Sequence, residues 1–320
     1  MEISEKNRKF ALKYQLSQYF AMGKYINPFT DWGFKRLFGQ EFSKDLLISF
    51  LNDLLEGELR VKDVTFMDKE QLPLTKDQRG IIYDVYCETD TGKRFILEMQ
   101  NRWQPNFLDR TVCYASRCIV DQIEKSKKER EGAYQFLPIY TVCFMNFTPP
   151  EEEISKFRTD VVLADKDSKE QISDKLRFIY LALPYFKKKA EECDSDFDKW
   201  IYVLKHMEAL TRMPWTAQKN IFKQLEEYAD SHHLTKKEWE AYENSLWIAR
   251  DNMAAMAYAE RVAAEKARAD GKAEGIAIGQ KKEHERLLNT ARALLASGMS
   301  LEQVKQFTGL NDDEIKQIPS

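Results

Sequence analysis

Long apolar runs are missing from this chain: no stretch approaches the roughly 18 consecutive apolar residues of a membrane span, and the polar start Glu5-Lys6-Asn7-Arg8 has no signal-peptide centre. The expected compartment is therefore the cytoplasm. Histidine is scarce, and His206, His232, His233 and His284 stand at no metal-ligand spacing from Cys or carboxylates, which argues against a zinc site. The five cysteines, at 87, 113, 118, 143 and 193, form no C-x-x-C pair and several fall in apolar strand or helix patterns, so buried reduced thiols are expected. Excess charge of one sign is also absent: 49 basic against 52 acidic residues leave a net charge of -3. Any contact with nucleic acid must use a local basic patch.

What is present is ample core material. With 320 residues, 43% hydrophobic and 12% aromatic, the chain can fold without staples as one large or two modest domains.

The most informative segment is a hairpin. Ile81 to Glu88 and Arg94 to Gln100 are rich in β-branched and aromatic residues, separated by Asp90-Thr91-Gly92. A three-residue loop with glycine last, in the left-handed position, pairs Thr89 with Lys93 and hence Asp84 with Glu98. The alternation puts Tyr83, Val85, Cys87, Phe95, Leu97 and Met99 on an apolar face and Asp84, Glu98 and Gln100 on the other. Like charges directly across a ladder are unfavourable unless compensated. A divalent cation compensates, and Mg²⁺ is commonly held by one or two carboxylates plus waters and phosphate oxygens.

An Asp on one strand and Glu-x-Gln on the next resemble the core of the PD-(D/E)XK nuclease superfamily. More closely, Tyr25-Ile-Asn-Pro-Phe-Thr-Asp-Trp-Gly-Phe-Lys-Arg-Leu-Phe-Gly39, Leu97-Glu-Met-Gln100 and Asp198-Lys-Trp-Ile201 resemble the bacterial PD-(D/E)XK family transposases, or recombination-promoting nucleases. The resemblance runs from about Tyr25 to the C-terminus. It implies an α/β fold with a restriction-endonuclease-like core, a mixed central sheet flanked by helices, and a Mg²⁺- or Mn²⁺-dependent DNA endonuclease tied to recombination or mobile elements. Asp84 and Glu98 would be metal ligands, with Asp31 either reaching the metal directly or through water or serving, like Thr30, as a cap at the start of its helix. Gln100 stands where the superfamily usually has Lys, and Tyr83 where it nominally has Pro. Gln100 could orient the attacking water, and Lys35 could neutralise phosphate or partly replace the missing Lys.

The pattern predicts an extension over 1–24, a nuclease-like domain over 25–245 and a helical tail over 246–320. Helices are expected around Phe34 to Phe38, Leu46 to Leu55 and Phe107 to Lys125, with strands at Val61 to Met67, Leu137 to Phe147 and Lys175 to Leu183. Pro149-Pro150 and the acids after them read as a break, and the sequence after Leu183 to about Tyr242 as helical. On the third helix Leu108, Val112, Ala115, Ile119 and Ile123 mark the expected core face, with Arg110, Tyr114 and Arg117 opposite. That basic stripe suits a phosphate backbone or simple surface ion pairs.

The Ala-rich tail reads as a long exposed helix or helix pair, and Gly271, Gly275 and Gly279 offer either a local break or a homodimer contact. Gly298 to Ile315 resembles a small helix-turn-helix. Its second helix would open with Asp312, Asp313 and Glu314, acids that disfavour phosphate contact and suit a helix N-terminus. A rival reading keeps the nuclease fold in a catalytically weak nucleic-acid-binding or interaction protein. A glycosidase is disfavoured because directly opposed acids lie too close for the inverting arrangement.

Overall fold

The computed structural model describes residues 23–71, 80–126, 134–150, 153–216 and 218–316, so most of the expected extension over 1–24 lies outside the described residues. The chain divides into two compact units, one up to Arg250 and one from Asp251 on.

The first unit opens with helix α1 (Asp31–Phe38), which buries Gly33, Phe34, Leu37 and Phe38. Thr30 is its N-cap, accepting the Gly33 N–H at 3.0 Å. A Cβ on residue 33 would stand 2.2 Å from the Asn27 carbonyl oxygen, so the tight approach of this loop requires glycine. Helix α2 (Lys44–Leu54) follows, with Leu46, Leu47, Phe50, Leu51 and Leu54 buried at helical spacing.

The sheet is mixed, as expected. Its strands are β1 (Val64–Phe66), β4 (Val85–Thr89), β5 (Arg94–Gln100), β6 (Ile139–Met145), β7 (Arg158–Ala164) and β8 (Gln171–Ala182), in the order β1-β4-β5-β6-β8-β7. The short β2 (Glu70–Gln71) and β3 (Ile81–Ile82) pair separately. β5, β6 and β8 run parallel, and helix α3 (Phe107–Ser126) forms the crossover from β5 to β6.

Both faces of the sheet are covered. On one side Val85, Cys87, Phe95, Leu97, Val142, Phe144, Ile179 and Leu181 pack in a core shared with α1, α2, α4 (Asp196–His206) and α5 (Asn220–Ala229). On the other, Tyr86, Ile96, Cys143, Met145 and Tyr180 meet Phe107, Ala115 and Cys118 of α3.

Four local expectations are corrected. Tyr83 joins the second core, because the break between β3 and β4 at Tyr83-Asp84 restarts the alternation. Strand β7 occupies sequence expected to be irregular. It is an edge strand whose side chains are half-buried or exposed, so it shows little apolar alternation, and an ion chain through Arg158, Asp160, Arg177 and Glu58 helps fasten it. Helix α3 turns Val112 outward, 51% exposed, and buries Thr111 and Gln122 instead. Burial is tolerable because the Thr111 hydroxyl bonds the Tyr180 hydroxyl at 2.8 Å, and the Gln122 amide bonds both the N–H and the carbonyl of Leu137, at 2.9 and 3.2 Å. Cys113 is exposed on the same helix, whereas the other four cysteines are buried free thiols.

Helix α6 (Lys236–Ala296) is continuous for 61 residues, passing through Gly271, Gly275 and Gly279 without a break. Its first turns belong to the first unit: Tyr242 and Leu246 are buried, the Tyr242 hydroxyl accepts the Asn27 N–H at 2.7 Å, and the Ser245 hydroxyl accepts the Trp32 N–H at 3.1 Å. Glu238 pairs with Arg36 at 2.6 Å. Leu246, expected to begin a tail with little to bury, is therefore a core residue. The second unit packs the end of α6 with α7 (Leu301–Thr308) and α8 (Asp312–Lys316) around Ala291, Val304, Leu310 and Ile315.

A chain ending at Arg250 should retain a single cooperative thermal transition. Ending it before Tyr242 should lower the melting temperature by about 10 °C or more, through loss of buried Tyr242 and Leu246, as followed by circular dichroism.

Candidate active site

The turn sets the site. Gly92 has φ +77°, its N–H bonds the Thr89 carbonyl at 2.8 Å, and the Thr89 N–H bonds the Lys93 carbonyl at 2.8 Å. Val85 then faces Leu97 and Cys87 faces Phe95. Continued by one residue, this register sets Asp84 opposite Glu98. The two are also knitted through the backbone, since the Met99 N–H donates to Asp84 Oδ2 at 2.8 Å and the Asp84 N–H points at Glu98 Oε1 at 3.4 Å. Their surroundings differ from the expected polar strand face: Glu98 is only 4% exposed, and Tyr86 and Ile96 beside it belong to the second core.

Desolvation dominates the electrostatics. Burial raises the Asp84 carboxyl above its ordinary pKa, with the Met99 hydrogen bond and the Lys35 charge acting against the shift. Glu98 is pushed well above its ordinary range, first by burial and next by the Asp84 charge, while Arg110 and Lys35 pull it back. No cation among the described residues forms an ion pair with either carboxylate.

Helix α1 carries Asp31 and Lys35, which pair with each other one turn apart. The charges of both reach Asp84, with opposite effects. Asp31 remains mostly exposed in the first helical turn, free of capping duty because Thr30 takes it.

Helix α3 supplies the opposite wall. Arg110 lies over the Phe107 and Tyr114 rings, its Nη1 donates to Gln104 Oε1 at 2.9 Å, and its Nη2 is buried without a hydrogen-bond partner. An orphaned guanidinium N–H beside two desolvated acids is a donor waiting for an anion. Tyr114 meets Tyr83 edge-on at 5.4 Å and is itself half-buried, so the stripe with Arg110 packs inward rather than facing open solvent. Arg117 lies further along α3, half-buried, and its charge is felt at Tyr83. Gln100, half-buried at the end of β5, shares the Glu98 face.

Two polar residues escape sequence reasoning. Asn101 follows Gln100, and its amide donates to the Phe29 carbonyl at 2.7 Å while accepting from Asn146 Nδ2 at 3.1 Å. An asparagine at a strand end reads as ordinary turn chemistry, and only the tertiary contact with Phe29 reveals it.

The donor set suits a hard cation: two carboxylates give oxygen ligands without histidine or thiolate. No group of three or more His, Cys, Asp or Glu able to hold a metal occurs among the described residues. Water and a phosphate oxygen would have to complete the shell, as Mg²⁺ commonly allows.

The raised carboxyls fix a sign for stability. The folded state holds protons that the unfolded chain releases near pH 4, so the contribution of these groups is full below about pH 4 and is lost as pH rises through the folded values. Without divalent ions, Glu98→Gln should therefore raise the melting temperature at pH 7.5 by several degrees, and the gain should shrink towards pH 4. A gain of equal size at both pH values would show that charge is not its source.

Residues 28–259 match the family described as PD-(D/E)XK nuclease family transposase, and residues 284–320 match the C-terminal helix-turn-helix domain of the Rpn/YhgA-like nuclease family. No curated protein and no solved structure matches the chain. Since the first match spans well over half the sequence and includes the hairpin, α1 and α3, the chain belongs to the PD-(D/E)XK nuclease family transposases.

Proposed function

We propose that the protein is a divalent-metal-dependent DNA endonuclease that hydrolyses phosphodiester bonds with Asp84 and Glu98 at its centre. The observation that carries this reading is the facing carboxylate pair, Glu98 buried and Asp84 half-buried, with no cation among the described residues bonded to it. A bound Mg²⁺ or Mn²⁺ would supply Lewis-acid stabilisation of phosphate charge and a more acidic water. Asp84 and Glu98 hold that ion, and Asp31 lies near enough for its charge to be felt at Asp84. Gln100 orients the attacking water by hydrogen bonding, a weaker device than the usual Lys because an amide cannot lend positive charge. Lys35 and Arg110, whose charges act on both carboxylates, restore part of that charge and receive the phosphate. Arg117 extends the phosphate-contacting stripe along α3.

Around this site the chain works as a nuclease domain over about 25–245 with a helical region after it. That region, continuous α6 included, serves as the contact of a homodimer. A helix-turn-helix at the C-terminus fits a DNA-directed role, although the start of α8 is occupied by its own caps: Asn311 Oδ1 accepts the Asp313 and Glu314 N–H groups at 3.1 and 2.9 Å, and Glu314 Oε2 accepts the Asn311 N–H at 2.8 Å. No helix of the described residues is long and apolar enough to cross a membrane, and we place the activity in the cytoplasm, in recombination or mobile-element movement.

Incubation with supercoiled plasmid tests the reading. The parent should nick or linearise DNA with Mg²⁺ or Mn²⁺ and not with chelator. Asp84→Asn and Glu98→Gln should each lower the rate at least about a hundredfold. Gln100→Lys should match or exceed the parent. Plasmid binding by the parent without cleavage under any divalent ion would favour the second reading, a catalytically weak DNA-binding protein, for which Gln100 in the usual Lys position is the specific reason.

A further inference from the structure

We infer that Asn101 is a positioning residue that sets helix α1, and with it Lys35 and Asp31, at the correct place beside the carboxylate pair. The inference rests on the nuclease reading and goes beyond it by naming a residue that touches no substrate.

Three elements meet at this one amide. Its Nδ2 donates to the Phe29 carbonyl, two residues before Asp31, and its Oδ1 accepts from Asn146 at the end of β6. The orientation is fixed by chemistry, because a backbone carbonyl can only accept and the NH₂ group must face it. Asn146 is itself held, its N–H donating to the Gln100 carbonyl at 2.8 Å and extending the β5–β6 ladder by one rung. The amide therefore measures the distance between the strand that bears Glu98 and the loop that starts α1.

That loop has little freedom to compensate. The Phe29 N–H is taken by Asn27 Oδ1 at 2.8 Å, the Thr30 hydroxyl donates to the Asn27 carbonyl at 3.0 Å, and Asn27 Nδ2 donates to Glu208 at 2.8 Å. A rigid loop passes any shift at Phe29 directly to α1. Lys35 would feel it, and the Lys35 charge acts on both Asp84 and Glu98.

A double-mutant cycle on the full chain tests the inference, with Asn101→Ala, Lys35→Ala and the combination. The first readout is Mn²⁺ affinity by calorimetry, which needs no turnover, and the second is the rate of plasmid cleavage. Asn101→Ala should lower cleavage by about tenfold to a hundredfold, the scale expected when a catalytic group is misplaced by about 1 Å. Lys35→Ala should cost about tenfold in the parent background and under about threefold once Asn101 is gone, because its charge is already out of place. Asn101→Asp, which keeps the acceptor for Asn146 but loses the donor to Phe29, should behave like Asn101→Ala. Circular dichroism confirms that each variant is folded.

Strictly additive effects of Asn101→Ala and Lys35→Ala on both readouts would overturn the inference while leaving the nuclease reading intact. So would an Asn101→Asp variant with parental affinity and rate. A parent that neither binds Mn²⁺ nor cuts removes both readings together.

Discussion

Two carboxyl groups taken out of water and set face to face are the constraint around which the rest of the site is arranged. Neither burial nor proximity favours their charged forms, so the fold must hold them by other means. It does so with backbone geometry. The Gly92 turn fixes the register, the Met99 N–H holds Asp84, and parallel pairing with β6 locks β5 in place. Helices α1 and α3 then bring Lys35 and Arg110 close enough to be felt without neutralising the pair by direct contact. A site in which protein cations closed on Asp84 and Glu98 would be more stable and would have nothing left to bind.

The same economy appears around the second core, where the buried Arg94 is held from two elements at once. It bonds Glu88 at 3.0 Å, Asp121 at 2.7 Å and the Tyr86 hydroxyl at 2.7 Å, joining β4, β5 and α3. Breaking such a buried pair from one side is costly, so the cluster fixes the angle at which α3 lies on the sheet. Arg94 and Arg110 thus divide the work: the first is bonded to two acids and a tyrosine and holds the helix, and the second keeps its buried Nη2 open.

Much of this was legible in the sequence because it is local. The hairpin register followed from counting outward from Gly92, and α1, α2 and α3 from the spacing of their apolar residues. What local reasoning could not reach was decided by tertiary contacts. Tyr83 changed face because the strand breaks at Asp84, an interruption that a continuous run of β-formers conceals. Val112 turned outward because Thr111 and Gln122 found buried partners on β8 and at Leu137. Strand β7 was invisible because an edge strand fastened by Arg158 and Asp160 need not alternate. Asn101 gave no signal, since its partner lies 72 residues away in the chain.

The anchors of α1 have a temporal meaning as well. The hairpin can pair as soon as Gln100 has left the ribosome, but Asn27, Trp32 and Arg36 are fastened by Tyr242, Ser245 and Glu238, more than 200 residues later in synthesis. Until those residues emerge, α1 lacks three of the anchors that hold it in the first unit. A nascent or prematurely terminated chain would display the two acids beside a helix that is only partly anchored. Tying an early segment of the chain to a late one makes the finished domain, and not a fragment of it, the species that carries the completed site.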